Sequence, residues 1–505
     1  MNAKEKIVGF FKKKEFIYLL EYFKEHDELN KDYDSLIIVG ISYSSLKNYE
    51  KALQFFYKAL DINYSIDALY NIALTMSLLD KTNDSKSIYI KILQIDNEHV
   101  SSYINLSDIY IKDKEYTLAL NLLKKVITKY SKNLLLNFNY SIALLETKNY
   151  HEAVKYLDKS IELDSTFVDA HYNKANCLKY MGSIDKAISI YERIILNNKQ
   201  HAEAKFNLGV CLLLNNQLKE GLELYENRFL LSANYQITYK PSGEAITHRK
   251  KVAKNSRLLV IYEQGLGDSI NFSCYINYLL SRYDQVFVLI QPELLSLFDN
   301  SFDCEFYTSP KDIPEYDYYI FMASLPLHMI FNNYPLINSK SYLKVSSIYL
   351  DKWKTKINCK TKKIGISWCS NKKSLLKKNI DDDCFLNSLP NNYNYFCLHK
   401  DISSHAKKLI SESNFIHEFC DEIDNFHDTA AICSLMDYVI TIDTSVAHLS
   451  SALGKKTQLI LSFVPDWRWG LRGDQTIWYE CTKLIRSNNE DKEIDLMKKI
   501  DFNFE

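Results

Sequence analysis

The stretch NYEKALQFFYKAL, residues 48–60, recurs along the first half of the chain, for example as NYHEAVKYLDKSI at residues 149–161. Aligning such stretches places a small residue at one register, at Ala52, Ser85, Ala119, Ala153, Ala187 and Gly221. Successive members of this set lie 33, 34, 34, 34 and 34 residues apart. Another small residue lies 12 positions before each of them, at Gly40, Ala73, Ser107, Ser141, Ala175 and Gly209. A fixed period of this length indicates a stacked array of one supersecondary unit.

The two registers have a steric explanation. Two antiparallel helices approach closely only where both side chains are small, and a bulky residue four positions later lies on the same helix face and packs against the next repeat. The bulky residues are Phe56, Tyr89, Leu123, Leu157, Tyr191 and Tyr225. The pattern resembles the tetratricopeptide repeat. It implies a helical solenoid of about six repeats over residues 1–232, with residues 1–30 as a degenerate N-terminal cap.

An asparagine stands two positions before the first small residue of successive repeats. The five residues are Asn71, Asn105, Asn139, Asn173 and Asn207. Side-chain amides donate and accept hydrogen bonds, so a row of them on the concave side of the solenoid can bind a peptide backbone without reading its sequence. The O-linked N-acetylglucosamine transferase has a similar row. Asparagine is also common here in tetratricopeptide repeats generally, so peptide binding and stabilisation of the array both stay open.

Composition excludes several classes of protein. The chain has 505 residues, 47% of them hydrophobic, with 62 basic and 63 acidic residues and a formal charge of −1. This balance argues against a general nucleic-acid binder. The 11 cysteines include no CxxC pair, no apolar stretch is long enough to span a bilayer, and the N-terminus does not have the pattern of a signal peptide. We therefore expect a cytoplasmic protein with reduced cysteines and no transmembrane segment.

The second half of the chain follows a different pattern. Residues 233–256 are polar and are predicted to form a linker. Short apolar runs then alternate with segments of helical spacing, which predicts parallel sheets of the α/β class. Strands are predicted at residues 257–262, 284–290, 304–307, 318–322, 363–368, 393–399, 438–442 and 457–463, and a helix at 270–280. The strands fall into two Rossmann-like lobes, 257–350 and 351–505.

Three motifs in this half follow strands, at the end where parallel sheets bind ligands. In EQGLGDS, residues 263–269, glycines allow a sharp turn and a close approach of the backbone to a ligand, and Asp268 starts the next helix. In IDTSVAHL, residues 442–449, a buried strand gives way to a helix whose free N–H groups favour a diphosphate. Helix capping is the simpler interpretation of either aspartate. A third motif, FVPDWRW at residues 463–469, can be a packed corner.

Together these motifs resemble the family-nine glycosyltransferases, the lipopolysaccharide heptosyltransferase type. The resemblance rests on EQGLGDSINF, ISWCSN followed by KKNI, FCLHKD, DYVITIDTSVAHLSSALGK and FVPDWRW, and covers about residues 257–480. It implies the GT-B fold, with an acceptor-side lobe and a nucleotide-sugar-side lobe facing a cleft. It also implies a nucleotide-diphosphate sugar as the donor, inversion at the anomeric centre, and no cofactor or metal.

The resemblance further implies roles for individual residues. Asp268 matches the general base, which takes the proton of the acceptor hydroxyl. The implied donor-binding residues are Lys377, Lys378, Lys400, Asp443, Thr444, Ser445 and His448, and the implied cleft-backbone residues are Gly265, Gly267 and Asn371. Ser370 and Ser445 stand where relatives have glycine. The run Asp381-Asp382-Asp383 is interpreted as a helix N-terminal cluster favoured by the helix dipole, not as a metal site.

Two functions follow from these observations. The first is an inverting glycosyltransferase whose acceptor, a protein or glycan, is presented by the repeat array. The second is a non-catalytic interaction scaffold with a degenerate transferase domain. The glycines replaced by serine favour the scaffold, and the retained acidic and histidine residues favour the enzyme. A protein or peptide partner on the repeats is expected in both cases.

Overall fold

The computed structural model describes residues 2–231, 239, 241–246, 255–334, 336, 341–370, 379–488 and 493–503. The chain divides into two compact units, Met1–Met181 and Gly182–Glu505. The last helices of the repeat pattern therefore belong to the unit that contains the sheets.

The first unit is a succession of antiparallel helices. They are α1 (Ala3–Lys12), α2 (Phe16–Lys24), α3 (Tyr33–Ser45), α4 (Tyr49–Ile62), α5 (Ile66–Leu78), α6 (Thr82–Ile95), α7 (Val100–Lys112), α8 (Tyr116–Lys124), α9 (Leu134–Glu146), α10 (Tyr150–Leu163) and α11 (Val168–Tyr180). Pairs of these helices form the predicted repeats, and α1 and α2 form the predicted N-terminal cap.

The small and bulky registers occupy the positions that the steric argument assigns to them. All the small residues and all the bulky ones are buried. A Cβ added to Gly40 would lie 2.4 Å from the ring of Phe56, and one added to Gly209 would lie 2.9 Å from the carbonyl oxygen of Gly221. Ser85 donates to the carbonyl oxygen of Ala73 at 2.7 Å. The two helices of a repeat thus meet where only a small side chain fits.

A left-handed residue ends the first helix of each repeat. Positive φ values recur at Lys14, Lys47, Asp80, Lys114, Lys148, Gly182 and Asn216. The spacing of 33 or 34 residues matches the repeat period, although glycine, which adopts this conformation without steric cost, occurs only once. The composition of these turns does not reveal their geometry, so the sequence pattern did not identify them.

The second unit begins with the helices α12 (Ile184–Asn197), α13 (Ala202–Leu214) and α14 (Leu218–Tyr225). The elements that follow are β1 (Glu244–Ala245), β2 (Arg257–Ile261), α15 (Leu266–Ser273), α16 (Ile276–Arg282), β3 (Gln285–Leu289), α17 (Leu295–Asp299), β4 (Glu305–Tyr307), β5 (Tyr318–Phe321), α18 (Leu325–Phe331), α19 (Ser347–Lys354), β6 (Lys363–Ser367), α20 (Asp382–Leu386), β7 (Asn394–Cys397), α21 (Ser404–Ser411), β8 (Ile416–His417), α22 (Phe426–Ser434), β9 (Tyr438–Ile442), α23 (Ser445–Ala452), β10 (Lys456–Leu461), β11 (Thr482–Arg486) and α24 (Glu493–Met497).

These strands form two parallel sheets, which confirms the predicted α/β class. The first has the order β1-β5-β2-β3-β4 and the second β11-β10-β9-β6-β7-β8. Numbered from β6, the second sheet has the order 3-2-1-4-5-6 of the doubly wound nucleotide-binding sheets. The chain reverses its direction of growth between β2 and β5 in the first sheet and between β6 and β9 in the second. Ligands of such sheets bind at these switch points.

The predicted boundaries change in three places. The predicted linker contains the short strand β1, which pairs with β5. The helix predicted over 270–280 is two helices, α15 and α16. Finally, α19 spans the predicted lobe boundary at residue 351, so the second lobe begins a few residues earlier than predicted. Its buried Trp353 joins the core of Phe396 and Val439.

A fully buried arginine connects the end of the last repeat helix, α14, to the first sheet. Arg228 lies in the short 3-10 helix Glu226–Leu230 after α14. Its Nε and Nη2 donate to both carboxylate oxygens of Glu263, at 2.8 and 2.9 Å, and Nη2 also donates to Ser324 at 2.6 Å. Glu263 follows β2, and it also accepts a hydrogen bond from the backbone N–H of Ala323 after β5, at 3.0 Å.

Replacing Arg228 by methionine should destabilise the second unit strongly. The change leaves the carboxylate of Glu263 buried without its cation, and breaking such a pair costs about 3–5 kcal/mol in the free energy of unfolding. Urea unfolding measures the loss. Arg257→Met is the matched control, because it removes an exposed pair with Asp317 that is worth at most about 1 kcal/mol. Equal losses at the two arginines would contradict the assigned role.

Candidate functional site

The turn after β2 carries the candidate base. Gly265 is the N-cap of α15, and the carboxylate of Asp268 accepts a hydrogen bond from its N–H at 2.9 Å. The predicted capping role of Asp268 is therefore present. Its side chain remains about 24% exposed. An ionised carboxylate has about four lone-pair positions, so capping leaves oxygen sites for a ligand hydroxyl.

The helix after β9, α23, begins at an N-cap residue whose own side chain does not cap it. Thr444 is the N-cap of α23 but makes no capping hydrogen bond, and its buried Oγ1 has no hydrogen-bond partner. Asp443 and Ser445 are half-buried beside it. The uncapped N–H groups and the helix dipole favour an anionic group at this position.

The two motifs meet directly, because α15 packs on α23. A Cβ added to Gly267 would lie 2.8 Å from Cδ2 of His448 and 3.4 Å from Cα of Ser445. Gly265 has a φ of −73°, which any residue adopts, so its backbone conformation does not require glycine. The structure thus assigns Gly267 to close helix packing, where the sequence predicted backbone approach to a ligand. A ligand that contacts both motifs would bind beside this contact, where Asp268 and the start of α23 are half-exposed.

Arg468 completes this cluster, and the sequence analysis assigned it no role. It lies in the 3-10 helix Trp467–Trp469 after β10 and is buried. Its guanidinium forms ion pairs with Asp268 and with Asp466, the latter at 2.7 Å, and donates to Gln264 at 3.0 Å. The only signal in the sequence was an arginine between two tryptophans after a strand.

Opposing influences act on the pKa of Asp268. Burial raises this pKa above its ordinary value, Arg468 opposes the rise, and the negative charges of Asp466 and Asp443 add to it. Burial also disfavours the charged form of Arg468, but the two carboxylates more than compensate and raise its pKa. The net result is a carboxyl group more basic than an ordinary aspartate.

His448 is held by aromatic neighbours on the first turn of α23. Its ring stacks on Trp469 with 5.0 Å between ring centroids, and its Nδ1 lies 3.0 Å from the hydroxyl of Tyr479. The hydroxyl of Tyr342 lies 3.5 Å from that of Tyr479 and donates to the carbonyl oxygen of Ile270 at 2.9 Å. A buried row of polar groups thus joins α23 to α15. Neither tyrosine was identified from the sequence.

The predicted donor-binding residues Lys377 and Lys378 and the predicted cleft-backbone residue Asn371 lie outside the described residues. Lys400 is described, and its ammonium group donates to the carbonyl oxygen of Asp424 at 2.9 Å. His399, just before it, accepts from the backbone N–H of Trp368 at 3.1 Å through Nε2, and burial lowers its pKa to about 4. The neutral ring therefore holds the start of the WCSN turn.

The aspartate run at 381–383 caps a helix, as predicted. Asp381 is the N-cap of α20 and accepts from the backbone N–H of Cys384 at 3.1 Å. Asp382 accepts from the indole N–H of Trp368 at 2.7 Å. Among the described parts of the chain, no group of three or more His, Cys, Asp or Glu is placed to hold a metal ion. None of the 11 cysteines, all of which lie in the described ranges, forms a disulfide.

The asparagine row is not uniform. The amide of Asn139 donates to the carbonyl oxygen of Ile104 at 3.2 Å and to Ser107 at 3.0 Å, and Asn105 donates to Tyr70 and Tyr89 at 3.0 Å each. These bonds reach the preceding repeat. Asn71 donates to a carbonyl of its own helix, Asn207 is buried, and Asn173 is half-buried with no hydrogen bond to a described residue. At least two of the five asparagines therefore stabilise the array.

Comparisons with known proteins identify the repeats. Family models described as tetratricopeptide repeat match residues 33–65, 100–128 and 144–201. The N-terminal region is thus composed of tetratricopeptide repeats, a type of array that commonly mediates protein–protein interaction. No curated protein matches the sequence. None of the helices in the described ranges is both long and apolar enough to cross a bilayer.

Several solved structures are similar to part of the chain. YrrB, described as a TPR protein with an unusual peptide-binding site, has 22% identity and a TM-score of 0.32, over 37% of this chain and 94% of its own. A tetratricopeptide repeat protein from Parabacteroides merdae has 18% identity and a TM-score of 0.37, over 46% and 93%. PilF from Pseudomonas aeruginosa has 22% identity and a TM-score of 0.35, over 41% and 91%.

The packing of α15 on α23 predicts different effects for the two glycines of the turn. Gly267→Ala forces a methyl group against the imidazole of His448, which Trp469 holds in place, and should cost about 1–3 kcal/mol in the free energy of unfolding. Gly265→Ala is the matched control, because its Cβ would meet only the carboxylate of Asp268, at 3.4 Å. Thermal or urea unfolding of both variants checks this. A destabilisation at Gly265 as large as at Gly267 would contradict it.

Proposed function

We propose that the protein is an inverting, metal-independent glycosyltransferase of the GT-B class that acts in the cytoplasm. It moves a sugar from a nucleotide-diphosphate donor to a hydroxyl of a protein or glycan acceptor bound by the repeats. The observation that carries the proposal is the contact of the two strand-end motifs: the turn holding Asp268 packs against the N-terminus of α23.

The positions of these motifs support a two-lobe nucleotide-sugar site. EQGLGDS follows β2 at the switch point of the first sheet, and the helix α23 follows β9 at that of the second. Ligands bind beyond the carboxyl ends of parallel strands at such points. The sequence resemblance to the heptosyltransferase type associates the same two motifs with the acceptor and the donor.

Each residue has a defined part in the proposed reaction. The carboxylate of Asp268 accepts the proton of the acceptor hydroxyl as its oxygen attacks the anomeric carbon of the donor. The bond from that carbon to the diphosphate oxygen breaks, and the nucleoside diphosphate leaves with the electron pair. The N–H groups of residues 445 and 446 stabilise the departing negative charge. One base and one displacement invert the anomeric centre.

The environment of Asp268 is suited to proton abstraction. A general base is most effective when its pKa approaches the working pH. Burial raises the pKa of Asp268 towards that range. The loss of solvent at the half-buried carboxylate also strengthens its interaction with a bound hydroxyl.

Asp268→Asn tests the proposed base. The amide oxygen can still cap α15, but it cannot take a proton, so we expect transfer or donor hydrolysis to fall by about 10²–10⁴-fold. Donor binding should change little, and the protein should still fold, because Arg468 keeps its ion pair with Asp466. Turnover is measured with a panel of ADP-, UDP- and GDP-sugars as donors. Donor binding is measured as the rise in melting temperature that each sugar nucleotide causes in the wild-type protein.

Two outcomes would contradict the proposal in different ways. Wild-type turnover that persists in Asp268→Asn would remove Asp268 from the reaction. A wild-type protein that neither binds nor hydrolyses any donor of the panel would support the alternative, an interaction scaffold built on the repeats.

The asparagine row provides a separate test of acceptor binding. Asn173→Ala should weaken binding of a library of unstructured peptides severalfold and leave melting temperature and donor affinity unchanged, because Asn173 makes no hydrogen bond within the described array. Asn139→Ala is the matched control for a structural role. It removes two bonds to the preceding repeat and should cost about 1–2 kcal/mol in stability. Unchanged peptide binding in Asn173→Ala would restrict the row to stabilising the solenoid.

A further inference from the structure

Arg468 lies between its own loop and the segment that runs from the turn after β2 into α15. Its guanidinium contacts Asp268 and Gln264 on the turn after β2 and Asp466 on its own loop. It also packs against aromatic rings, with its central carbon 4.6 Å from the ring centroid of Trp467 and 5.2 Å from that of Phe272. These contacts fix the group on several sides.

The ion pair determines which way the carboxylate of Asp268 can face. One carboxylate oxygen accepts from the N–H of Gly265, and the other pairs with Arg468. Rotation about the side-chain bonds would break one of the two interactions. The carboxylate is partly exposed, so its remaining lone pairs are available to a ligand hydroxyl.

We propose that Arg468 is a positioning residue for Asp268, which holds the carboxylate in its charged form and in the orientation needed to accept a proton from the acceptor hydroxyl. This inference rests on the proposed function, because it concerns the same site. Arg468 does not touch the reacting atoms and acts only through Asp268. In the reaction it remains protonated, so the proton taken from the hydroxyl stays on the carboxylate until product release.

The charged groups around Asp268 shift its pKa in known directions, which makes the proposal testable. Arg468 lowers the pKa of Asp268, while Asp466 and Asp443 raise it. Tyr225 from α14 and Tyr479 are further titratable groups at this cluster, and burial raises the pKa of both. A base works only when it is unprotonated, so the acidic limb of a pH–rate profile follows the pKa of Asp268.

The experiment compares pH–rate profiles of donor turnover in three variants. Arg468→Gln removes the favourable charge and should move the acidic limb upward by about one to three pH units. Asp466→Asn removes a repelling charge and should move it downward. Arg486→Gln is the structural control: Arg486 donates to the carbonyl oxygens of Trp469 and Gly470 at 2.6 and 2.8 Å, and so supports the loop without touching Asp268. The acidic limb of the pH–rate profile of Arg486→Gln should therefore stay where it is in the wild type.

A second readout does not need enzymatic turnover. The free energy of unfolding is measured from pH 4 to 8 for the wild type and Asp268→Asn, and for Arg468→Gln with and without Asp268→Asn. In each background, the difference between the two proteins gives the contribution of Asp268 to stability. A raised folded-state pKa gives stability that is present below the unfolded pKa, about 3.9, and is lost as pH rises through the folded value. In the Arg468→Gln background, this loss should extend about one to three pH units higher than in the wild-type background.

The outcomes separate the two proposals. No turnover in the wild type with the expected stability shift would overturn the proposed function and retain the coupling of Arg468 to Asp268. Turnover with unmoved acidic limbs in both Arg468→Gln and Asp466→Asn would overturn the positioning role. A limb shift of equal size in Arg486→Gln would also overturn it, because loop disruption would then explain the effect. If Arg468→Gln does not fold, Arg468→Lys takes its place. This variant keeps the charge but loses the guanidinium contacts, so unchanged turnover would overturn the positioning role.

Discussion

The buried pair of Arg228 and Glu263 is the interaction on which the second unit depends. A guanidinium and a carboxylate out of contact with water are tolerated only together, because either alone carries a large desolvation penalty. The pair therefore requires the helix after α14 and the ends of β2 and β5 to assemble together. The same neighbourhood holds the site: Gln264 donates to the hydroxyl of Tyr225 at 2.9 Å, and Tyr225 lies against Trp467. The last repeat is thus structurally part of the α/β unit.

The repeat array follows from a steric constraint that is visible in the sequence. Paired small residues set where two helices touch, and a bulky residue on the same face fills the space beside them. This constraint acts between residues 12 positions apart, so it leaves a periodic trace that one sequence reveals. The left-handed turns leave no such trace, because Lys, Asp and Asn occupy most of them at a steric cost that the packing of the flanking helices offsets.

The α/β half was also predictable in part. Most of the predicted strands are buried apolar runs, as in β2, β3, β9 and β10. The strands β1 and β8 were missed because they have two residues each, and β11 was missed because the exposed Lys483 interrupts its apolar run. The rule that ligands bind at strand ends predicts from the sequence that Asp268 and the start of α23 lie at one site. Arg468 was missed because its partner lies 200 residues away, and no local pattern marks a contact of that range. The packing role of Gly267 was missed for the same reason.

The basicity of Asp268 shows why a motif alone does not define this site. In EQGLGDS the residue is only a helix-capping aspartate, and hydrogen bonds to such a carboxylate favour its charged form. In the assembled unit, burial and the carboxylates of Asp443 and Asp466 oppose that preference, while Arg468 supports it. These groups come from loops after three strands of two sheets, so the balance exists only when both sheets are in place. A change in the packing of α15 on α23 therefore alters the chemistry of the carboxylate even when the motif is intact.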